Sequence, residues 1–233
     1  MTRDARGRAG RTLAFLQAEL ETIYAVEAPA VDGFLVGRET ARAAGRVPQA
    51  PEELLVLEED DGVSLGLYLD DAVMETAAAA DPHHPRPRLV ARVSLARVSL
   101  ARVACAAEGV SHFVYLATRA AAGRPVSLLE LEVQAEVDKF VLLLLHLWRR
   151  GLRRTSRALR RRLYESVRYH PHLGAEALAR YREANRLGGA YARWLEGRFV
   201  AEADIEGLLR ELRQCYRLSG REKLAYLGGR ALQ

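Results

Sequence analysis

Eight arginines occupy fourteen consecutive residues: Arg149, Arg150, Arg153, Arg154, Arg157, Arg160, Arg161 and Arg162, with no acidic side chain among them. The guanidinium group is planar and permanently charged. Its five N–H donors form a fork that matches a carboxylate or a phosphate. Without these eight the remaining 27 basic and 30 acidic side chains sum to −3, against +5 for the whole chain. The positive charge is therefore local. On a continuous helix Arg149, Arg153, Arg157 and Arg160 fall on one side, with Arg150, Arg154 and Arg161 beside them. Such a face can neutralise several phosphates. It suits an anionic macromolecule, either nucleic acid or an acidic protein surface.

Metal chemistry is the second candidate. Glu108 and His112 are four residues apart, as are Glu132 and Glu136. Two helices offering such pairs follow the logic of carboxylate-bridged metal bundles, although the usual Glu-x-x-His repeat is missing. His170 and His172 flank Pro171 and join such a site only if the fold brings them near. His83 and His84 sit in a proline-rich loop, and His146 sits among leucines as a core residue. No Gly-x-Ser-x-Gly elbow, Walker loop or dinucleotide fingerprint is present. Gly188-Gly189 lies inside a helical pattern, where it permits close packing. Cys105 and Cys215 match no metal or redox spacing. The favoured function is a non-enzymatic binding or adaptor module without a cofactor. The alternative is a helical metal-dependent enzyme using Glu108, His112, Glu132 and Glu136.

The elements that must carry these residues can be read from periodicity. Leu13, Leu16, Leu20 and Ile23 form one helical stripe. Val63, Leu65, Leu67 and Leu69 alternate with Ser64, Gly66 and Tyr68, and a second apolar run, Leu54 to Leu57, precedes them across an Asp-Gly turn. This pattern predicts an antiparallel hairpin. Phe34-Leu35-Val36 is a short strand or a packed loop. A pentapeptide repeat, Ala-Arg-Val-Ser-Leu, fills residues 91–104, and its valines suggest a third strand. From about Val110 the chain reads helical. Ser127 caps a helix running through the apolar stretch Phe140 to Trp148. The arginines extend that helix, or a second one after a kink at Gly151. Further helices follow at about 175–198 and 204–217, the latter capped by Asp204, with a last short one after Ser219.

The fold class expected is α+β, predominantly α, with a small antiparallel sheet in the first half packed on a helical second half. Residues 1–10 read as a flexible basic tail, 11–107 as an N-terminal helix plus sheet, and 108–233 as the helical region. Ten acidic residues and no basic ones lie between Glu52 and Asp81. This block could meet the arginines across a boundary between two copies of the chain. The longest apolar run is about half the roughly 20 residues of a membrane span. Few cysteines and no apolar leader point to a cytoplasmic, bacterial-type protein.

Overall fold

A computed structural model describes residues 2–44, 50–59, 62–80, 97–169 and 173–231. The fold is α+β and predominantly helical. It divides into two compact units. Unit 1 comprises Met1–Glu19 and Glu27–Ala122; unit 2 comprises Leu20–Val26 and Gly123–Gln233. Among the described residues no helix is long and apolar enough to cross a membrane.

Helix α1 spans Arg3–Tyr24 and so includes most of the stretch expected to be a tail. Two local causes start it early. Asp4 stands in the first turn, where the helix dipole favours a negative charge, and it pairs with Arg8 one turn on. Ala9 is fully buried one turn before Leu13, which extends the apolar stripe toward the N-terminus. The helix stops where Ala25 takes a left-handed φ of 54° and the Val26 amide donates to the Glu21 carbonyl at 3.1 Å.

Gln17 fixes the chain that follows. Its amide donates to the Ala28 and Pro29 carbonyls at 3.2 and 3.0 Å and accepts from the Val31 amide at 2.8 Å. This leads into β1, Leu35–Val36, and the short α2, Arg38–Ala43. Strands β2, Glu52–Glu59, and β3, Gly62–Leu69, form the expected hairpin, with Leu54 opposite Leu67 and Val56 opposite Leu65. Glu59 pairs with Gly62. Asp60 and Asp61 lie outside the described residues.

The sheet differs from expectation in its third member. It is mixed, not antiparallel: β1 runs parallel to β3, with Leu35 opposite Leu67, and the order is β1-β3-β2. The pentapeptide repeat supplies no strand where it is described. Helix α3, Asp71–Ala79, follows β3, and α4, Arg97–Ala121, takes residues 97–104 of the repeat as its first turns. Residues 91–96 lie outside the described residues. Periodicity explains the outcome: Leu100, Val103, Ala104, Ala107 and Val110 recur at three- and four-residue steps and are all buried.

The sheet rests on α4 at Gly109. A Cβ there would lie 2.8 Å from Glu52 Cγ and 3.1 Å from the δ-carbons of Leu67 and Leu69, so a larger residue would force those side chains to move. The Phe34 and Phe113 rings pack 4.8 Å apart beside it. Asp70 caps α3 by accepting from the Val73 amide at 2.7 Å, and Thr12 of α1 donates to the Ala77 carbonyl at 2.8 Å.

Unit 2 is built on α5, Leu128–Arg149, whose first turn is capped by Ser127 Oγ accepting from the Glu130 amide at 3.2 Å. Between Val133 and Leu147 it is buried on nearly every side. Each large apolar side chain hidden this way contributes about 1.5–3 kcal/mol. Trp148, at its end, is only half-buried. The other elements are α6, Ser156–Tyr164; α7, Ala175–Leu195, ending in a π-turn at Glu196–Val200; α8, Ile205–Arg217; and α9, Gly220–Ala231. Asp204 caps α8 by accepting from the Gly207 amide at 2.7 Å. Helix α7 comes close to α5 at Gly188, where a Cβ would fall 2.6 Å from that of Glu136.

The core of unit 2 also contains ionisable groups. Asp138 accepts from the Tyr24 hydroxyl and, at 2.7 Å, from the Gln134 amide. Lys223, fully buried, donates to Gln134 Oε1 and lies 5.5 Å from the Tyr216 ring centre. Tyr216 stacks on Tyr24 at 4.0 Å. In a second cluster Glu211 accepts from the hydroxyls of Tyr191 and Tyr226 at 2.9 and 2.8 Å. Burial pushes the Cys215 thiol up to about 11 and raises Tyr24 and Tyr191 well above the ordinary phenol value. These groups therefore hold their protons at neutral pH.

Candidate anion-binding groove

The eight arginines do not share one helix face. Gly151 divides them. Its φ is +73°, its amide donates to the Trp148 carbonyl at 2.9 Å, and the Leu152 amide donates to Leu147 at 2.9 Å. This left-handed residue closes α5, as glycine commonly does at a helix end. A 3₁₀ turn at Arg153–Thr155 then leads into α6. Arg149 and Arg150 are exposed at the end of α5, and Arg154 is exposed in the turn. Arg153 is half-buried and structural: its Nη1 donates to the Val200 carbonyl at 3.0 Å, at the end of the π-turn. Arg162 is half-buried on α6.

Three of the arginines gather in a groove of about 320 Å³, lined by Arg157, Arg160, Arg161, Glu165, Arg193 and Glu196. Next to it is a lobe of about 290 Å³ that shares Arg160, Glu165 and Arg193 and adds Tyr164, Asn185, Arg186 and Gly189. Arg160 is the floor. It is 6% exposed, and its Nε donates to Glu196 at 2.6 Å. Its Nη1 donates to Glu165 at 3.1 Å, and the other oxygen of Glu165 lies 3.8 Å from Arg161. The side chain of Glu196 is 13% exposed, that of Glu165 is 48% exposed. Arg157, Arg161, Arg186 and Arg193 are exposed. Arg186 is held by Glu183 at 2.6 Å. Among the described residues no carboxylate lies within ion-pairing distance of Arg157 or Arg193.

Tight packing positions this lobe. The Tyr164 hydroxyl donates to the Glu136 carbonyl at 2.6 Å, and Asn185 donates to the Tyr164 carbonyl at 3.2 Å. At Gly189 an added Cβ would stand 3.1 Å from the Tyr164 ring. The side-chain oxygen of Asn185 and Oε1 of Glu196 are buried without a hydrogen-bond partner among the described residues. Five guanidinium groups thus face two groove carboxylates, Glu165 and Glu196, and a grasped oxyanion would find charge-assisted donors on two helices.

Sequence reasoning located Arg157, Arg160 and Arg161 but missed Glu165, Asn185, Arg186, Arg193 and Glu196. The four on α7 and its π-turn come from 25 residues or more beyond Arg160. The only local signal was the spacing Asn185, Gly189, Arg193, three positions on one helix face.

Among the described residues no group of three or more His, Cys, Asp or Glu side chains is arranged to hold a metal ion. Glu108 and His112 lie on α4 of unit 1, Glu132 and Glu136 on α5 of unit 2. His112 Nδ1 is 3.1 Å from Glu52, Glu132 is 3.6 Å from Arg180, and Glu136 is 2.8 Å from Lys139. His83, His84, His170 and His172 lie outside the described residues. His146 is half-buried, and its pKa falls to about 4 because burial, Arg150 and Arg149 all disfavour its charged form. Comparison with models of known protein families, with curated protein sequences and with solved structures finds no match.

Proposed function

We propose that the chain is a non-enzymatic binding or adaptor module that docks an anionic macromolecule, nucleic acid in the first place, through the arginine groove of unit 2. One observation carries the reading. Arg157, Arg161 and Arg193 are exposed around Arg160, whose guanidinium is fixed from below by Glu196. The setting supports it, since unit 2 holds 22 basic and 14 acidic side chains, a net +8. Arg149, Arg150 and Arg154 extend the same charge along the chain. Cys105 and Cys215 are buried and form no disulfide, which suits a reducing cytoplasm.

The test is a salt titration of binding to labelled single-stranded DNA, duplex DNA and polyglutamate. Native protein is compared with a variant carrying Arg157→Gln, Arg161→Gln, Arg186→Gln and Arg193→Gln. Nucleic acid binding should weaken as salt rises, with a slope of about 0.9 per phosphate on duplex and about 0.7 on single strands. The variant should bind more weakly and with a shallower slope, while its thermal unfolding stays native-like. Preference for polyglutamate would move an acidic protein partner ahead. Binding of none of these probes at low salt overturns the reading.

A further inference from the structure

We infer that Glu165 is a built-in occupant of the anion seat, an internal carboxylate that an incoming phosphate must displace; this rests on the groove being the docking site. The geometry has two unequal halves. Glu196 holds Arg160 through Nε at 2.6 Å and is 13% exposed, so it fixes the guanidinium permanently. Glu165 takes the other edge. One of its oxygens accepts from Arg160 Nη1 at 3.1 Å and the second faces Arg161 Nε at 3.8 Å. A single carboxylate spans two guanidinium groups, which is how a bound oxyanion would sit.

Glu165 is also placed to leave. It is the C-terminal cap residue of α6, where its backbone amide donates to the Arg161 carbonyl, and its side chain is 48% exposed. Swinging the side chain out gives up one bond to the buried Arg160 and leaves the Arg160–Glu196 bond in place. Arg157 and Arg193 line the same cavity. A phosphate in place of Glu165 would therefore meet up to four guanidinium groups where Glu165 meets two. The carboxylate end of the pair is half-exposed, so solvent screening weakens it. Glu165 therefore does not close the site; it sets a threshold that favours phosphate oxygens over an isolated carboxylate.

The experiment compares native protein, Glu165→Gln and Glu202→Gln in binding a labelled single-stranded oligonucleotide, with inorganic phosphate as competitor. Glu202 is exposed and lines neither lobe, so its change alters net charge by the same amount away from the groove. Glu165→Gln should bind about two- to fivefold more tightly, the size expected for removing a competing pair whose carboxylate is half-exposed. Phosphate should compete at correspondingly lower concentration, and Glu202→Gln should stay near native. Binding by Glu165→Gln alone would also support the inference. Equal gains in both variants, or no gain in Glu165→Gln while the native protein binds, overturn it and leave the docking reading standing. Absence of binding in all three removes both.

Discussion

Unit 1 and unit 2 are nearly equal in length but solve different problems. Unit 1 has 13 basic and 16 acidic side chains, net −3; unit 2 is net +8. Unit 1 buries a sheet against α4 and, among the described residues, hides few ionisable groups, Arg119 and His112 among them. Unit 2 hides Glu130, Asp138, Lys139, Arg160, Glu211 and Lys223. A buried charge is tolerable only when paired and hydrogen-bonded. Unit 2 therefore ties its core to specific partners, and that rigidity extends to Arg160 at the groove floor. Unit 1 depends mainly on shape.

The strongest way to break this contrast is to remove one hub of the buried network. Asp138→Ala leaves the Tyr24 hydroxyl without its acceptor, while the Gln134 amide keeps only its 3.2 Å bond to the Tyr24 oxygen. The expected cost is about 1–3 kcal/mol for the orphaned hydroxyl, plus about 1 kcal/mol for the lost amide bond. Thr12→Val in unit 1 removes one hydrogen bond and should cost about 1 kcal/mol. Urea midpoints compare the two. Equal losses would show that the polar core of unit 2 is no more demanding than the core of unit 1.

Glycine substitutions sharpen the contrast in packing. Gly188→Ala drives a Cβ to 2.6 Å from the Cβ of Glu136, an atom anchored to the backbone of α5. Overpacking of this kind costs about 1–3 kcal/mol, of which the helix propensity of alanine returns up to about 1. Gly109→Ala meets only side-chain carbons of Glu52, Leu67 and Leu69, which can move. Its melting temperature should fall less.

Acid gives a third handle. His146 has a folded pKa of about 4 against an ordinary 6.5. Below pH 6.5 the unfolded chain takes up a proton that the folded chain refuses. Stability should therefore fall as the pH drops from about 6.5 toward 4. His146→Gln should lessen that slope, which denaturation at several pH values measures. The smallest effect belongs to the surface of unit 1: Asp4→Asn should cost under about 1 kcal/mol, visible only as slight fraying of α1 by amide exchange.

Much of this architecture was legible because its causes are local. Alternation at Val63–Leu69 revealed the hairpin, and Ser127 and Asp204 marked the helix starts where they act as caps. Elements that depend on distant partners were legible only in part. Phe34-Leu35-Val36 reads as a short strand or a packed loop, and the two-residue β1 is settled only by its pairing with β3. Residues 97–104 are helical because their apolar face meets a core, although repeated valines suggest a strand. At the groove the arginine run was plain, yet Gly151 divided it, and the burial of Arg160 followed from Glu196 on the far side of a long helix.

One feature of α1 bears on how the chain is made. Residues 20–26 belong to unit 2, although the rest of that unit begins at Gly123. Tyr24 leaves the ribosome 114 residues ahead of Asp138. At about 5–20 residues per second that is a wait on the order of 6–23 s. Arg213, whose guanidinium donates to the Ile23 and Thr22 carbonyls at 2.9 and 3.2 Å, arrives later still. Unit 2 therefore cannot complete its core in order of emergence, and a fragment starting at Gly123 lacks the hydroxyl for Asp138 and the carbonyls for Arg213. A synthetic peptide covering 20–26, added to that fragment, is the piece that would restore them.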